Sequence, residues 1–109
     1  MHELGVTRNI VAIVTEHAAE KQVKRVALDI GKLSAIMPDS IRFCFDVCVK
    51  DTLLEQATLE INEIPGRGRC DVCGKEFELV QLFGHCSCGS RQITCIAGEE
   101  LKIKEMEVF

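Results

Sequence analysis

Four cysteines fall in two close pairs within CDVCGKEFELVQLFGHCSCGS, residues 70–90. Cys70 and Cys73 have the C-x-x-C spacing of a zinc knuckle, a sharp turn whose backbone N–H groups point at the sulfur atoms. A glycine follows each pair, at Gly74 and Gly89, where a side chain would crowd the turn. Because this segment has too few apolar residues for a core of its own, the two pairs predict a structural zinc site.

The second half of the motif offers two ligand sets, because it reads HCSC at residues 85–88. One set consists of four cysteines, with Cys86 and Cys88 as a tight C-x-C pair. The other set uses His85 in place of Cys86, which restores the spacing of the first pair. Both sets satisfy tetrahedral zinc. We favour the four cysteines because thiolate is the softer ligand, although the C-x-C turn is strained.

A second metal-binding pattern is the opening MHE, residues 1–3. Removal of an initiator methionine requires a small following residue, so we expect Met1 to be retained. The terminal amine, the His2 amide nitrogen and the His2 Nδ1 can chelate one ion. The fourth in-plane donor is then the Glu3 amide, the Glu3 carboxylate or a water. Such planar, nitrogen-rich coordination suits Ni²⁺ or Cu²⁺. From the residues alone, a solvated chain end is the more common interpretation.

The remaining cysteines and one further histidine are predicted to pack rather than to bind metal. Cys44 and Cys48 lie one turn apart on the apolar stripe of a predicted helix, and Cys95 lies in a predicted strand. A free cysteine behaves as a small hydrophobic residue in a protein core. His17 falls on the apolar face of the first predicted helix, where we expect it to pack or to cap the helix.

Composition limits the classes of function. A chain of 109 residues with 47% hydrophobic and 28% charged residues is typical of one globular domain or of a small domain with an added module. The formal charge of −4 disfavours a nucleic-acid partner, which requires clustered Lys and Arg. Because we find no membrane-spanning run and no export signal, we expect a cytoplasmic protein with no membrane partner. Because the cytoplasm is reducing, the seven cysteines are expected to be metal ligands or core residues and not disulfides.

Two helices are predicted to position these residues. The first covers 4–19, where apolar residues recur at spacings of three and four. The second begins at Pro38, since proline suits the first turn of a helix. We expect its wide apolar stripe to press against a sheet; the stripe consists of Ile41, Phe43, Cys44, Phe45, Val47 and Cys48.

Three strands are predicted from alternating apolar residues, at 23–31, 57–64 and 98–109. The segment IPGRGRC, residues 64–70, breaks the second pattern and indicates a hinge. The order of elements predicts an α+β fold, in which a small three-stranded sheet has two helices on one face and carries an inserted zinc-ribbon-like module. The predicted domains are 1–65 with 98–109, which form the α/β domain, and 66–97, which form the zinc-binding module.

The whole chain resembles the HypA/HybF family of nickel metallochaperones, which help to mature [NiFe]-hydrogenases. The resemblance rests on MHE at 1–3, IGKLSAIMPDSIRFCF at 30–45, ATLEI at 57–61, the cysteine module, and GEELKIKEMEV at 98–108. By position, it implies that His2 is a nickel ligand and Glu3 its companion in the α/β domain. It also implies zinc ligation by Cys70, Cys73, Cys86 and Cys88. The family usually has C-x-x-C in the second pair, so this chain departs from its pattern there.

The resemblance implies a carrier and not an enzyme, and we find no nucleophile–base pair or phosphate-binding glycine loop. Such a carrier binds Ni(II) at its N-terminus, works beside a HypB-type GTPase and docks on the immature [NiFe]-hydrogenase large subunit. Two alternatives have no nickel role. One is a small zinc-ribbon adaptor or nucleic-acid-binding module. The other is a thiol redox protein, which requires an exposed Cys-x-x-Cys pair free of metal.

Overall fold

The computed structural model describes residues 2–109; Met1 and the side chain of His2 lie outside the described residues. In chain order, its elements are α1 (His2–Ala18), β1 (Val23–Gly31), α2 (Pro38–Cys48), β2 (Thr58–Ile64), β3 (Arg67–Cys70), β4 (Glu76–Glu78), β5 (Ile93–Ala97) and β6 (Leu101–Val108). In this described part of the chain, no helix has the length and apolar character needed to cross a membrane.

Two three-stranded sheets organise the fold, with strand orders β2-β1-β6 and β4-β3-β5. The first sheet confirms the predicted α+β class, because β6 pairs with β1 after the cysteine-rich segment has intervened. The second sheet lies within that segment and was not predicted. The chain divides into two compact units, of which one comprises Met1–Asp29, Ile36–Asn62 and Lys102–Phe109 and the other Ile30–Ala35 and Glu63–Leu101.

The core of the first unit is built from α1, α2, β1 and the segment between α2 and β2. The two helices contact each other, and β1 is buried along most of its length. Its apolar residues are nearly inaccessible to water, and the most buried are Val14, Val23, Val26, Leu28, Ile41 and Leu54. Burial of these side chains is the main stabilising contribution to this unit.

The apolar stripe predicted for α2 is only partly buried. Ile41 and Phe45 are buried, one turn apart on the face that meets the core. Phe43 and Val47 are instead 72% and 52% exposed. The prediction that they widen the buried stripe is wrong, because a residue two positions from Ile41 or Phe45 lies about 200° around the helix and faces away from the core.

The N-terminus of α2 is held without a polar cap of its own. Its N-cap residue is Met37, with φ −87° and ψ 115°, and within the described residues this side chain makes no capping hydrogen bond. Pro38 occupies the first turn, as predicted, and Asp39 is the acidic residue there. Proline has no N–H to satisfy and its fixed φ suits this position.

The exposed face of the first sheet carries a cluster of ion pairs around Arg25 of β1. Its guanidinium lies 2.9 Å from Glu60 of β2, and 3.2 Å and 2.8 Å from Glu105 and Glu107 of β6. The same carboxylates raise the pKa of Arg25, with Glu107 the strongest influence. Arg25 therefore joins all three strands of the sheet through one side chain.

Residues 67–70 of the segment predicted as a hinge form β3, the central strand of the second sheet. It pairs antiparallel with both β4 and β5, so that Gly68 lies opposite Phe77 on one side and Cys95 on the other. A Cβ atom at Gly68 would approach side-chain atoms of Leu79 and Ile93 to 2.8 Å and 2.9 Å. Glycine is present here because neighbouring side chains pack onto the backbone, and the hinge interpretation is wrong for residues 67–70.

Candidate metal centres

Four thiol groups converge in the second unit. Cys70 ends β3, Cys73 lies in the turn that follows, and Cys86 and Cys88 lie in the loop before β5. All four sulfur atoms lie within 4.8 Å of one another. The Cys70–Cys88 distance is 3.7 Å and the Cys73–Cys86 distance is 3.5 Å. Tetrahedral zinc with Zn–S bonds of about 2.3 Å places sulfur atoms about 3.8 Å apart, so this donor set fits zinc.

The first knuckle is a tight turn held by the backbone of Cys70. Its N–H donates to Lys75 O at 2.8 Å, and its carbonyl accepts from the Gly74 N–H at 2.9 Å. The Cys73 N–H points at the Cys70 sulfur, 3.5 Å away. Gly74 has φ +78°, which a side chain would disfavour. A Cβ atom at Gly74 would meet nothing within 4 Å, so the predicted crowding is wrong and the positive φ is what favours glycine.

The second knuckle repeats this arrangement despite its shorter C-x-C spacing. The Cys86 N–H donates to Ser90 O at 2.9 Å, and the Gly89 N–H donates to Cys86 O at 2.8 Å. Gly89 has φ +94°, which favours glycine, while a Cβ atom there would meet nothing within 4 Å, contrary to the predicted crowding. The turn is thus completed between Cys86 and Ser90, which allows Cys86 and Cys88 to face the first pair together.

The sulfurs of Cys70, Cys86 and Cys88 differ in their affinity for protons. The Cys73 N–H lowers the pKa of Cys70 to about 6, against the effect of burial. The Cys88 N–H lowers the pKa of Cys86. The Ser90 N–H lowers the pKa of Cys88, but the adjacent sulfurs of Cys86 and Cys70 outweigh it and raise that pKa to about 11. Neighbouring thiolates repel one another, so a bound cation favours ionisation of all four.

His85 lies outside this group. It is exposed and lines a surface cavity of about 560 Å³ together with Leu82, Phe83 and Arg91. Among residues 3–109, the cluster that could hold a metal ion consists of the four cysteines alone. The structure therefore assembles the favoured ligand set and leaves the alternative ligand beside it.

The second predicted site lies at the start of α1. Met1 and the His2 side chain are outside the described residues, and His2 is described only as the first residue of the helix. Glu3 is half-buried in the first turn. Its backbone carbonyl accepts a hydrogen bond from the buried Thr7 hydroxyl at 2.6 Å. Its carboxylate Oε2 accepts one from the Met37 N–H at 3.4 Å.

A shallow cavity lies beside Glu3, between the N-terminal turns of α1 and α2. Its volume is about 330 Å³, and it is lined by Glu3, Leu4, Asp39, Ser40, Phe43 and Cys44. Sequence reasoning did not connect Glu3 with α2, because the two segments are more than thirty residues apart in the chain. The available signal was Pro38, which marks a helix N-terminus that needs a hydrogen-bond acceptor.

Within the part of the chain that the structure describes, the other cysteines do not join a metal-binding group. Cys44, Cys48 and Cys95 are half-buried, as expected for residues that pack. Burial, followed by the adjacent Glu99, raises the pKa of Cys95. His17 is exposed, so the packing interpretation is wrong for it. Its Nδ1 lies 2.9 Å from the Ile13 carbonyl near the end of α1, a contact of the capping kind.

The chain is similar to known proteins over its whole length. The family model described as "Hydrogenase/urease nickel incorporation, metallochaperone, hypA" matches residues 1–108. The hydrogenase maturation factor HypA of Nostoc punctiforme is 67% identical over 108 residues, which are 99% of this chain and 96% of the relative. The factor of the same name from Geobacter metallireducens is 47% identical over 109 residues and is covered to 99%.

Solved structures show the same fold. A solution structure of HypA protein aligns with a TM-score of 0.75 and 25% identity, covering 100% of this chain and 97% of the other. The solution structure of the Ni metallochaperone HypA from Helicobacter pylori aligns with a TM-score of 0.70 and 25% identity, covering 97% and 96%. The similarity therefore extends through both compact units.

Proposed function

The chain belongs to the HypA family of metallochaperones for nickel incorporation, and on this basis we propose that it binds Ni(II) at its N-terminus and delivers it to the immature [NiFe]-hydrogenase large subunit. The observation that carries the proposal is the MHE opening in a chain matched from residue 1 by the family model. The terminal amine, the His2 amide nitrogen and the His2 Nδ1 are the proposed ligands, with Glu3 as their companion.

The position of this chelate suits a carrier. α1 begins at His2, whereas the buried apolar residues of the same helix begin at Ile10, two turns further along, with the buried but polar Thr7 between them. Nickel can therefore exchange ligands without disturbing the core. Copper binds nitrogen ligands more tightly than nickel does, so selectivity depends on which metal is available and on partner contacts.

We propose that zinc is structural and is held by Cys70, Cys73, Cys86 and Cys88. The sulfur–sulfur distances and the two knuckle turns support this assignment. When bound, zinc cross-links the end of β3 to the loop before β5. We propose that the domain formed by residues 1–65 and 98–109 binds nickel and that residues 66–97 bind zinc.

We propose a HypB-type GTPase and the immature large subunit as partners, with no nucleic acid and no membrane. The family assignment supports the hydrogenase subunit, and the net charge of −4 disfavours nucleic acid. We also propose that the protein is a carrier and not a catalyst. Against the redox alternative, the first Cys-x-x-Cys pair lies within reach of two further sulfurs in the described structure, an arrangement suited to a metal.

The proposal is tested by comparing a free N-terminus with a short, histidine-free N-terminal tag, together with His2→Ala. We expect nickel affinity to fall by more than about tenfold in both cases, because each change removes one donor from an intramolecular chelate. Affinity of the free terminus should strengthen from about pH 6.5 to about pH 8, as imidazole and α-amine lose their protons. Chelator competition with Ni²⁺ measures these affinities.

His17→Ala is the matched control, since the hydrogen bond described for this exposed histidine is to its own helix. We expect unchanged nickel affinity in this variant, and unchanged zinc content and helicity in every variant. If the tagged chain holds nickel as tightly as the free terminus, the amine is not a ligand and the proposed site is incorrect.

A further inference from the structure

The four-cysteine cluster has a buried side and an exposed side. Cys70 and Cys86 are buried, whereas Cys73 and Cys88 are exposed. Each knuckle therefore contributes one buried sulfur and one exposed sulfur. Water and competing ligands reach a bound ion most easily from the side of Cys73 and Cys88.

Lys75 and Ser87 connect the two knuckles through their side chains. Ser87 stands between Cys86 and Cys88, and Lys75 is the second residue after Cys73. The Lys75 Nζ donates to the Ser87 Oγ at 3.2 Å. Both residues are exposed, as are Cys73 and Cys88. The contact therefore lies at the surface of the module and spans the two halves of the metal site.

Each end of this contact acts on metal ligands. The Lys75 carbonyl accepts from the Cys70 N–H at 2.8 Å, so the main chain of Lys75 belongs to the first knuckle. Ser87 is the single residue between two ligands, so a displacement of Ser87 moves Cys86 and Cys88 together. The hydrogen bond thus ties the short C-x-C turn to the first knuckle.

The size of the effect depends on the donor and on its exposure. A hydrogen bond from an ammonium group is stronger than one between neutral groups. Exposure weakens it, because water competes for both partners. Four zinc–sulfur bonds contribute far more than one such contact, so the contact should change how fast zinc leaves and not whether zinc binds.

We propose that the Lys75–Ser87 hydrogen bond is a positioning contact that keeps the second knuckle closed against the first and slows the release of zinc. Release begins when Cys86 and Cys88 move away together with Ser87, a movement that this hydrogen bond opposes. The inference rests on the proposed zinc site and assigns a role to two residues that are not ligands.

The test follows zinc release from the full chain into an excess of a chromophoric chelator, after elemental analysis has measured the zinc content. Lys75→Met keeps the length of the side chain but removes its donor and its charge, and Ser87→Ala removes the acceptor. The double variant completes a cycle that measures the coupling of the two residues. Lys75→Arg keeps a charged donor. Lys32→Met is the matched control, because Lys32 is an exposed lysine of the same compact unit, and no hydrogen bond is described for its side chain in residues 2–109.

We expect about one zinc per chain in every variant, because all four thiols remain. Release should be about threefold faster in Lys75→Met and in Ser87→Ala, as for loss of one exposed hydrogen bond. The double variant should also be about threefold faster, and not about ninefold, because both changes break the same contact. Lys75→Arg and Lys32→Met should stay within about twofold of the wild type. Amide exchange in β3 and β5 of the zinc-loaded protein should be unchanged, since both residues lie outside these strands.

Release at the wild-type rate in both single variants would overturn the inference, as would a double variant whose effect is the product of the single effects. Faster amide exchange in β3 and β5 would show a general loosening of the module in place of a local contact, and would overturn it too. A wild-type chain without zinc would instead reject the proposed zinc site, and this inference with it. The proposed nickel function is independent of all these results.

Discussion

At the residue scale, two of the clustered cysteines, Cys70 and Cys88, differ in whether they must give up a proton to zinc. Cys70, with a pKa of about 6, is already largely thiolate at neutral pH. Cys88, with a pKa of about 11, still carries its proton there. Zinc binding therefore requires proton release from Cys88 even where Cys70 is already ionised.

We predict that zinc affinity rises with pH over the neutral and alkaline range and falls more steeply below about pH 6. Above that value, zinc displaces protons mainly from thiols such as Cys88. Below it, Cys70 is protonated as well, so one more proton competes with the metal. Competition with a chelator across pH gives the affinities, and calorimetry in buffers of different ionisation enthalpy counts the protons. Zinc affinity independent of pH between 7 and 9 would contradict thiol ligation.

A second residue-scale prediction separates the two ligand sets. Cys86→Ala should lose zinc or bind it much more weakly, while His85→Ala should keep about one zinc per chain, because only Cys86 lies in the sulfur cluster. Elemental analysis of purified protein measures the content. Cys95→Ala is the control, since Cys95 is a half-buried cysteine outside the cluster. Loss of zinc in His85→Ala would identify the histidine as the fourth ligand.

At the element scale, Arg25 connects the strands of the first sheet through its three glutamate partners. We predict that Arg25→Gln lowers the melting temperature at pH 7, because three carboxylates then face one another without a cation. Arg25 lowers the pKa of Glu107, so this stabilisation is present above the ordinary carboxyl range near about pH 4 and is lost as pH falls through the lowered pKa. The difference between variant and wild type should shrink at low pH.

Thermal unfolding at neutral pH and near about pH 3 measures this difference. Lys104→Gln is the control, since Lys104 is an exposed cation of β6, and no ion pair is described for it in residues 2–109. A melting difference that is the same at both pH values would argue against the carboxylate cluster as its cause.

Glycines supply a second element-scale prediction. Gly98, between β5 and β6, has φ +110°, and a Cβ atom there would lie 2.5 Å from the Gly66 Cα. Gly98→Ala should destabilise the protein by about 1–3 kcal/mol through backbone strain, with the collision adding to that cost. Gly5→Ala is the control, because Gly5 lies in α1 with nothing within 4 Å of such an atom. That change should raise the free energy of unfolding, since alanine favours a helix. Denaturant titration measures this free energy for both variants.

At the scale of the whole molecule, the two compact units depend on different stabilising contributions. The core of the first unit is made of aliphatic and aromatic side chains of α1, α2, β1 and the segment between α2 and β2. In the second unit, two of the buried side chains are the thiols of Cys70 and Cys86. Metal binding supplies on the order of 10 kcal/mol to small zinc domains, so the second unit should depend on it.

We predict that Cys73→Ala releases zinc and disorders residues 66–97, while α1 and α2 persist. Helicity by circular dichroism should change little, because the two helices lie in the first unit. Amide exchange in β3 and β5 should become fast. Zinc-free protein with full protection in β3 and β5 would show that zinc is not required for folding.

The sequence by itself determined the features that depend on neighbours along the chain. Alternation predicted β1 with the bounds found, Val23–Gly31, and proline chemistry predicted the start of α2 at Pro38. The spacing of cysteines and glycines predicted both knuckle turns. These features are local, since side-chain periodicity and backbone conformation are set within a few residues.

Only the tertiary structure decided the features that depend on distant parts of the chain. It made residues 67–70 a central strand, because β4 and β5 pair with them. It exposed Phe43 and Val47, because one face of α2 is enough to cover the core. It also brought Glu3 to Met37 across thirty-four positions. Local periodicity carries no information about which distant surfaces meet, since that choice depends on how the whole chain buries its apolar area.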